Sequence, residues 1–335
     1  MMERRRVLLT LGVVLGAGAI GWFMTPNPNA LPKGGDFTLP SAAGPVSLEA
    51  LRGRVVVLYF GYASCPDVCP ATLSFLGTAL AALPADELAK VQGIFISLDP
   101  ERDSPASLAP YAAHFHPRMV GVTGTATEVA ALAAHYGVTF RKHGVDSALG
   151  YVVDHTSQLA IVAPDGRLVE VLEHGTPPEA ISAAILRWTP GATAGEPLPG
   201  APAQAAGPPA AAAGGEAAGI TVVDPYVRGM APGSKVTAAY LVLQNTHPSA
   251  RALVRADVPG VQSVELHAVL TENGLTSMRP VAQIDLPAGG EARLEPSGNH
   301  IMLVGVDRPF STGETVPLTL TFADGTSLKV DAPVR

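Results

Sequence analysis

The chain is short of charge. Asp, Glu, Lys and Arg make up 15% of its 335 residues, and the net charge is -7. Only 22 residues are basic, and no basic tract follows residues 4–6. That pattern argues against a general nucleic-acid binder. Cysteine occurs twice, at Cys65 and Cys69. Two cysteines cannot build a disulfide-rich scaffold, but they can form one disulfide or bind one metal. No second membrane-length apolar run follows the first 24 residues. The scarcity of charge does not imply disorder, because 47% of the chain is hydrophobic, ample for packed cores. Gly and Pro are abundant, 66 together, and the length favours two domains over one.

Arg4, Arg5 and Arg6 precede an uncharged stretch at 7–24. As a helix it would measure about 27 Å, close to the thickness of a hydrocarbon core. Residues 1–24 therefore read as a signal or membrane anchor with a cytoplasmic N-terminus. The rest then faces the periplasm from a bacterial inner membrane. The alternative is a cleaved signal peptide, since four glycines weaken the span, and it would leave a soluble periplasmic protein. Residues 25–39 are a linker. From 190 to 219, 25 of 30 residues are Ala, Gly or Pro, the composition of a tether. The predicted domains are 40–189 and 220–335.

In the first domain, 55–60 is a continuous apolar run, as expected of a strand buried on both faces. A turn follows, then a helix predicted over 70–83. Further strands are predicted at 94–98, 159–163 and 168–172, and further helices at 108–116, 128–135 and 179–188. Residues 141–150, with His143, read as a loop. The alternation indicates an α/β domain. Cys65 and Cys69 fall between the first strand and its helix, and a spacing of four puts both sulfurs on one helical face. They suit a disulfide, a redox pair or one soft metal ion.

The segments YFGYASCPDVCP (59–70), ISLDPERDSP (96–105), FHPRMVGVTG (115–124) and YVVDHTSQLAIVAPDG (151–166) resemble the SCO family of thioredoxin-like copper proteins. The resemblance covers 40–189 and implies Cys65, Cys69 and His155 as copper ligands. It places the family's acidic residue at Asp99; Asp99 and Asp154 are candidates for a supporting role around the ligands. Cu(I) is the expected metal, with Cu(II) also compatible with two thiolates and an imidazole.

After residue 219 the period changes to short strands, at 236–243, 252–256, 263–270, 281–286, 292–295, 300–306, 316–322 and 327–334. Asn-Gly, Gly-Gly and Asp-Gly turns separate several of them. An antiparallel sandwich, cupredoxin-like, is expected. His267, Met278, His300 and Met302 stand out as soft donors suited to Cu(I), although a single Met is more often a core residue. The pattern H-x10-M-x21-H-x-M, with VELH (264–267), SMRP (277–280) and GNHIMLVGV (298–306), resembles the PCuAC family of periplasmic copper chaperones. That resemblance implies a second Cu(I) site on these four residues.

Together the resemblances imply a copper chaperone that serves the dinuclear copper centre of cytochrome c oxidase subunit II. Its other expected partners are thioredoxin-like reductants, the chain's own second domain and the membrane, with no nucleic acid. One alternative is an envelope thiol–disulfide oxidoreductase that uses Cys65 and Cys69, with copper secondary. Another is a copper-buffering protein.

Overall fold

The computed structural model describes residues 31–144, 148–191, 219–272 and 274–335. The predicted signal or anchor segment 1–24 and nearly all of the predicted tether lie outside them. Among the described residues no helix is long and apolar enough to cross a membrane.

The first half runs β1 (Thr38–Ser41), β2 (Gly44–Ser47), β3 (Val55–Gly61), α1 (Val68–Ala81), α2 (Ala85–Leu88), β4 (Val91–Ser97), α3 (Pro105–Phe115), β5 (Met119–Val122), α4 (Ala126–His135), β6 (Phe140–Gly144), β7 (Tyr151–Thr156), β8 (Leu159–Val162), β9 (Leu168–Leu172) and α5 (Pro178–Trp188). A five-stranded sheet of order β5-β4-β3-β8-β9 lies at its centre. All seven residues of β3 are buried. The strand runs parallel to β4 and antiparallel to β8, so every backbone group of its middle is paired and both faces are covered by apolar side chains. This is the thioredoxin-like α/β arrangement, with the β3–α1 connection at the carboxyl end of a central strand.

The second half comprises β10 (Ile220–Val227), β11 (Val236–Asn245), β12 (Arg251–Asp257), β13 (Val261–Glu272), β14 (Leu275–Pro280), β15 (Ile284–Leu286), β16 (Glu291–Leu294), β17 (His300–Val306), β18 (Thr315–Phe322) and β19 (Ser327–Pro333). One sheet has the order β15-β12-β18-β19. The facing sheet contains β10-β11-β17-β13-β14, with β16 on β11. Their inner faces share one hydrophobic cluster that includes Leu241, Leu253, Ile301, Leu303, Leu320 and Phe322. Period-two alternation produces this cupredoxin-like sandwich: inward residues are apolar, and their neighbours point the other way.

The halves are not separate bodies. Leu31–Arg335 form one compact unit. The sandwich sheet continues into the first half, because β14 pairs with β7 and β7 with β6. Ala231 and Met278 belong to the first half's core cluster. The segment 141–150, expected to be a loop, contributes β6. Four of the five residues of β6 are exposed, so only its pairing with β7 marks it as a strand. The first helix starts at Val68 rather than at 70. Cys69 is thus inside the helix, but Cys65 still precedes it and does not share a helical face with Cys69: Pro66 disfavours helical backbone at the residue before it.

Candidate metal centre

The β3–α1 connection brings the two cysteines together without bonding them. Both are free thiols. The Cys69 N–H donates to Cys65 Sγ at 3.4 Å. Gly61 lets the helix come this close: a Cβ there would stand 2.8 Å from Cys69 Sγ. Asp103 secures the loop, accepting from the Ala63 N–H at 2.9 Å and the Ser97 hydroxyl at 2.5 Å. Burial raises the Cys65 thiol, but hydrogen bonds from Cys69 and from the Asp67 N–H outweigh it and lower the pKa. Burial pushes Cys69 well up. Cys65 is thus the readier thiolate.

His155, at the end of β7, meets them from the far side of the chain. Its Nε2 lies 3.4 Å from Cys69 Sγ, while Nδ1 lies 3.1 Å from the Thr156 carbonyl oxygen. A carbonyl can only accept, so Nδ1 carries the proton and Nε2 turns its lone pair toward sulfur. Burial lowers the His155 pKa to about 4, which keeps the ring neutral and able to bind a metal.

The second set follows the same rule. His267 Nε2 lies 2.9 Å from Glu265 Oε2, and its Nδ1 is buried without a partner. His300 Nδ1 lies 3.0 Å from the Gly298 carbonyl oxygen, and its Nε2 is buried without a partner. Each ring has one nitrogen against an oxygen acceptor and the other without a hydrogen-bond partner among the described residues, the arrangement that supports an imidazole ligand. Their ring centroids are 5.7 Å apart. Buried orphan nitrogens are costly unless something binds them.

Strand register relates the two sets. On β17, Ile301 and Leu303 enter the sandwich core, whereas His300, Met302 and Val304 point to the other face. His267 is opposite His300, Glu265 opposite Met302, Met278 opposite Val269, and Thr276 opposite His155. Directly opposed residues share a face, as do alternate residues along a strand. His155, Met278, His267, His300 and Met302 therefore stand on one face of one sheet. That face is the outer side of the sandwich, and the first half covers it: His267, His300 and Met302 are 0% exposed.

The remaining predicted residues serve other contacts. Asp99 accepts from the Tyr151 hydroxyl at 2.8 Å and pairs with Arg102 and Lys142. Asp154 pairs with Arg141 and, through both oxygens, with Arg279 of β14 at 2.8 and 2.6 Å. Met230, which falls outside the H-x10-M-x21-H-x-M pattern, lies in the sandwich core, its Sδ accepting from the Phe310 N–H. Sequence reasoning missed Asp67, Arg228, Tyr240, Glu265 and Arg279. Glu265 was within reach, because E-x-H on a strand puts both side chains on one face. Among the described residues no group of three or more His, Cys, Asp and Glu forms a ready metal cage, and the thioethers of Met278 and Met302 fall outside that donor set.

The fold and the donors define a two-part protein: a thioredoxin-like half with a Cys/Cys/His set, and a β-sandwich half with a His/Met set. The SCO1/SenC family model matches residues 25–190, and this segment is a domain of that family. A second model, described as "Putative lipoprotein LpqE-like", matches 220–334. The chain is 37% identical over 155 residues to the mitochondrial SCO2 homolog of Bos taurus, spanning 46% of this chain and 58% of that protein. It is 38% identical over 144 residues to mitochondrial SCO1 of Saccharomyces cerevisiae, spanning 40% and 49%. The chain thus covers between about half and three fifths of the length of these relatives. Copper-bound ScoI of Bradyrhizobium japonicum is 35% identical, covering 47% of this chain and 99% of that one, with a TM-score of 0.43. A copper-bound PCuAC domain from PmoF2 is 20% identical, covering 38% and 97%, with a TM-score of 0.32. The PCuAC likeness of the second half rests on its motif, since the matching family model is a different one.

Proposed function

We propose that the chain is a copper chaperone on the periplasmic side of the bacterial inner membrane, with two Cu(I) sites. Cys65, Cys69 and His155 make one site; His267, Met278, His300 and Met302 make the other. The observation that carries this reading is the matched state of three buried imidazoles. Each has one nitrogen held against an oxygen acceptor and the other left for a soft partner. Thiolate, thioether and neutral imidazole suit Cu(I), and two thiolates with an imidazole also tolerate Cu(II).

Copper is the cargo here. It moves by exchanging ligands one at a time, staying Cu(I), while the thiol protons pass to water as thiolate bonds form. The His/Met set loads the Cys/Cys/His set, and the latter delivers to the dinuclear copper centre of cytochrome c oxidase subunit II. Cys65 and Cys69 can also reduce a disulfide in the target. Their two thiols then become a disulfide, which a thioredoxin-like reductant restores. The lowered Cys65 pKa favours this redox reading as a second role. Copper titration of the reduced chain separates the two. Two ions per chain, one lost in Cys65→Ser and the other in Met278→Leu, support the chaperone. Thiol–disulfide turnover without copper at the first site supports the oxidoreductase.

A further inference from the structure

Asp67 lies between the two cysteines and is 0% exposed, yet its side chain is held by the other half. Its Oδ1 accepts from the Tyr240 hydroxyl at 2.6 Å and from Arg228 Nη2 at 3.2 Å. Its Oδ2 accepts from the Ser297 N–H at 2.7 Å and lies 3.6 Å from His300 Nδ1. Arg228 also donates to the carbonyl oxygens of Pro66 and Asp67, at 3.1 and 2.8 Å. A second acid, Asp154, takes the fork of Arg279. His174 Nε2 meets the Ser297 hydroxyl at 2.6 Å, and β14 adds to the edge of β7. The gap left beside Cys65, lined in part by Pro66, Pro70, Arg228, Met230 and Thr237, holds about 20 Å3. That is room for one water and for no incoming protein side chain.

From this juxtaposition we propose that the surface around Cys65, Asp67, Cys69 and the β7 edge is a docking surface whose resident occupant is the chain's own sandwich. Asp67 and Asp154 are its two acidic keys. Each half is the lid on the other half's donors. In the closed state the thiols and the His/Met face are enclosed together, and in the open state an outside acceptor reaches the thiols. Such an acceptor replaces the sandwich on the same surface, so it presents the same chemistry: an edge strand for β7 and guanidinium groups for Asp67 and Asp154. This builds on the chaperone reading for its purpose, but the lid is defined by geometry and is tested without metal.

The test is the rate at which N-ethylmaleimide alkylates Cys65 and Cys69 in the reduced, metal-free full chain. Each guanidinium removed takes away charged hydrogen bonds of the closed state, and the open fraction rises accordingly. Arg228→Gln with Arg279→Gln is expected to speed alkylation on the order of tenfold or more. Removing the Arg228 cation from beside the thiols disfavours thiolate, which alone would slow the reaction; acceleration therefore reports access. Should the double variant lose its fold by circular dichroism, Arg279→Gln with Ser297→Gly replaces it. Ser297 has φ 66°, a conformation glycine takes easily, and its loss removes the His174 contact. Faster alkylation in a folded variant supports the lid; an unchanged or slower rate overturns it. Copper stoichiometry, measured separately, reports on the chaperone reading, so either can fail alone.

Discussion

His155 is wholly enclosed, and burial disfavours its charged form, bringing its pKa to about 4. In the unfolded chain a histidine takes up its proton near 6.5. Above about pH 6.5 the residue costs nothing, because it is neutral in both the folded and the unfolded state. As pH falls from 6.5 to about 4, the unfolded state binds a proton that the folded state refuses. Stability of the metal-free protein then drops by roughly 3 kcal/mol from this residue. Urea unfolding at pH 7 and pH 4.5 checks it, and His155→Gln should remove that part of the slope. Gly61→Ala sets a Cβ against Cys69 Sγ and should cost about 1–3 kcal/mol by overpacking, while weakening copper binding at the first site. Met302→Leu keeps the packing volume and should cost less than about 1.5 kcal/mol. Its loss of Cu(I) affinity at the second site would separate a ligand from a core methionine. Cys65 and Cys69, and the His267, Met278, His300 and Met302 set, stand out in the sequence by their spacing, and His155 only by the SCO resemblance. The histidine tautomers were not legible, since Gly298 and Thr156 act through backbone carbonyls that any residue supplies.

The strands whose residues alternate or run apolar, such as β3, β11, β17 and β18, could be read in advance from their side chains. β6 and β14 could not. β6 exposes Arg141, Lys142 and His143, and β14 is the short mixed segment LTSMRP. Both exist because a neighbour completes their hydrogen bonds. The β7–β14 ladder is the element on which the union of the two halves rests, and hydrogen exchange tests it. The amides that join His155 and Thr156 to Leu275 and Thr276 should exchange as slowly as those of the β13–β14 ladder. Exchange at the rate of an open strand edge would mean the ladder does not persist.

At the scale of the molecule, sequence composition marks two parts and a tether. The closed arrangement was hidden, because it depends on residues far apart in the chain meeting across the sheet: Asp67 with Arg228 and Tyr240, and Asp154 with Arg279. Nothing in CPDVCP announces that its aspartate is answered 161 and 173 residues later. Once closed, the molecule keeps both donor sets out of water, so copper held by either should be slow to reach an external chelator. Ending the Asp67 and Asp154 pairings should quicken that loss. Copper delivery itself tests the chaperone reading most directly. The chain loaded with two Cu(I) is mixed with the metal-free, reduced soluble domain of cytochrome c oxidase subunit II, and acceptor copper is followed after separation. The native chain is expected to fill the acceptor; Cys65→Ser with His155→Gln is expected not to, and Met278→Leu to do so only when copper is supplied at the first site. Equal filling by all three proteins would contradict the chaperone reading.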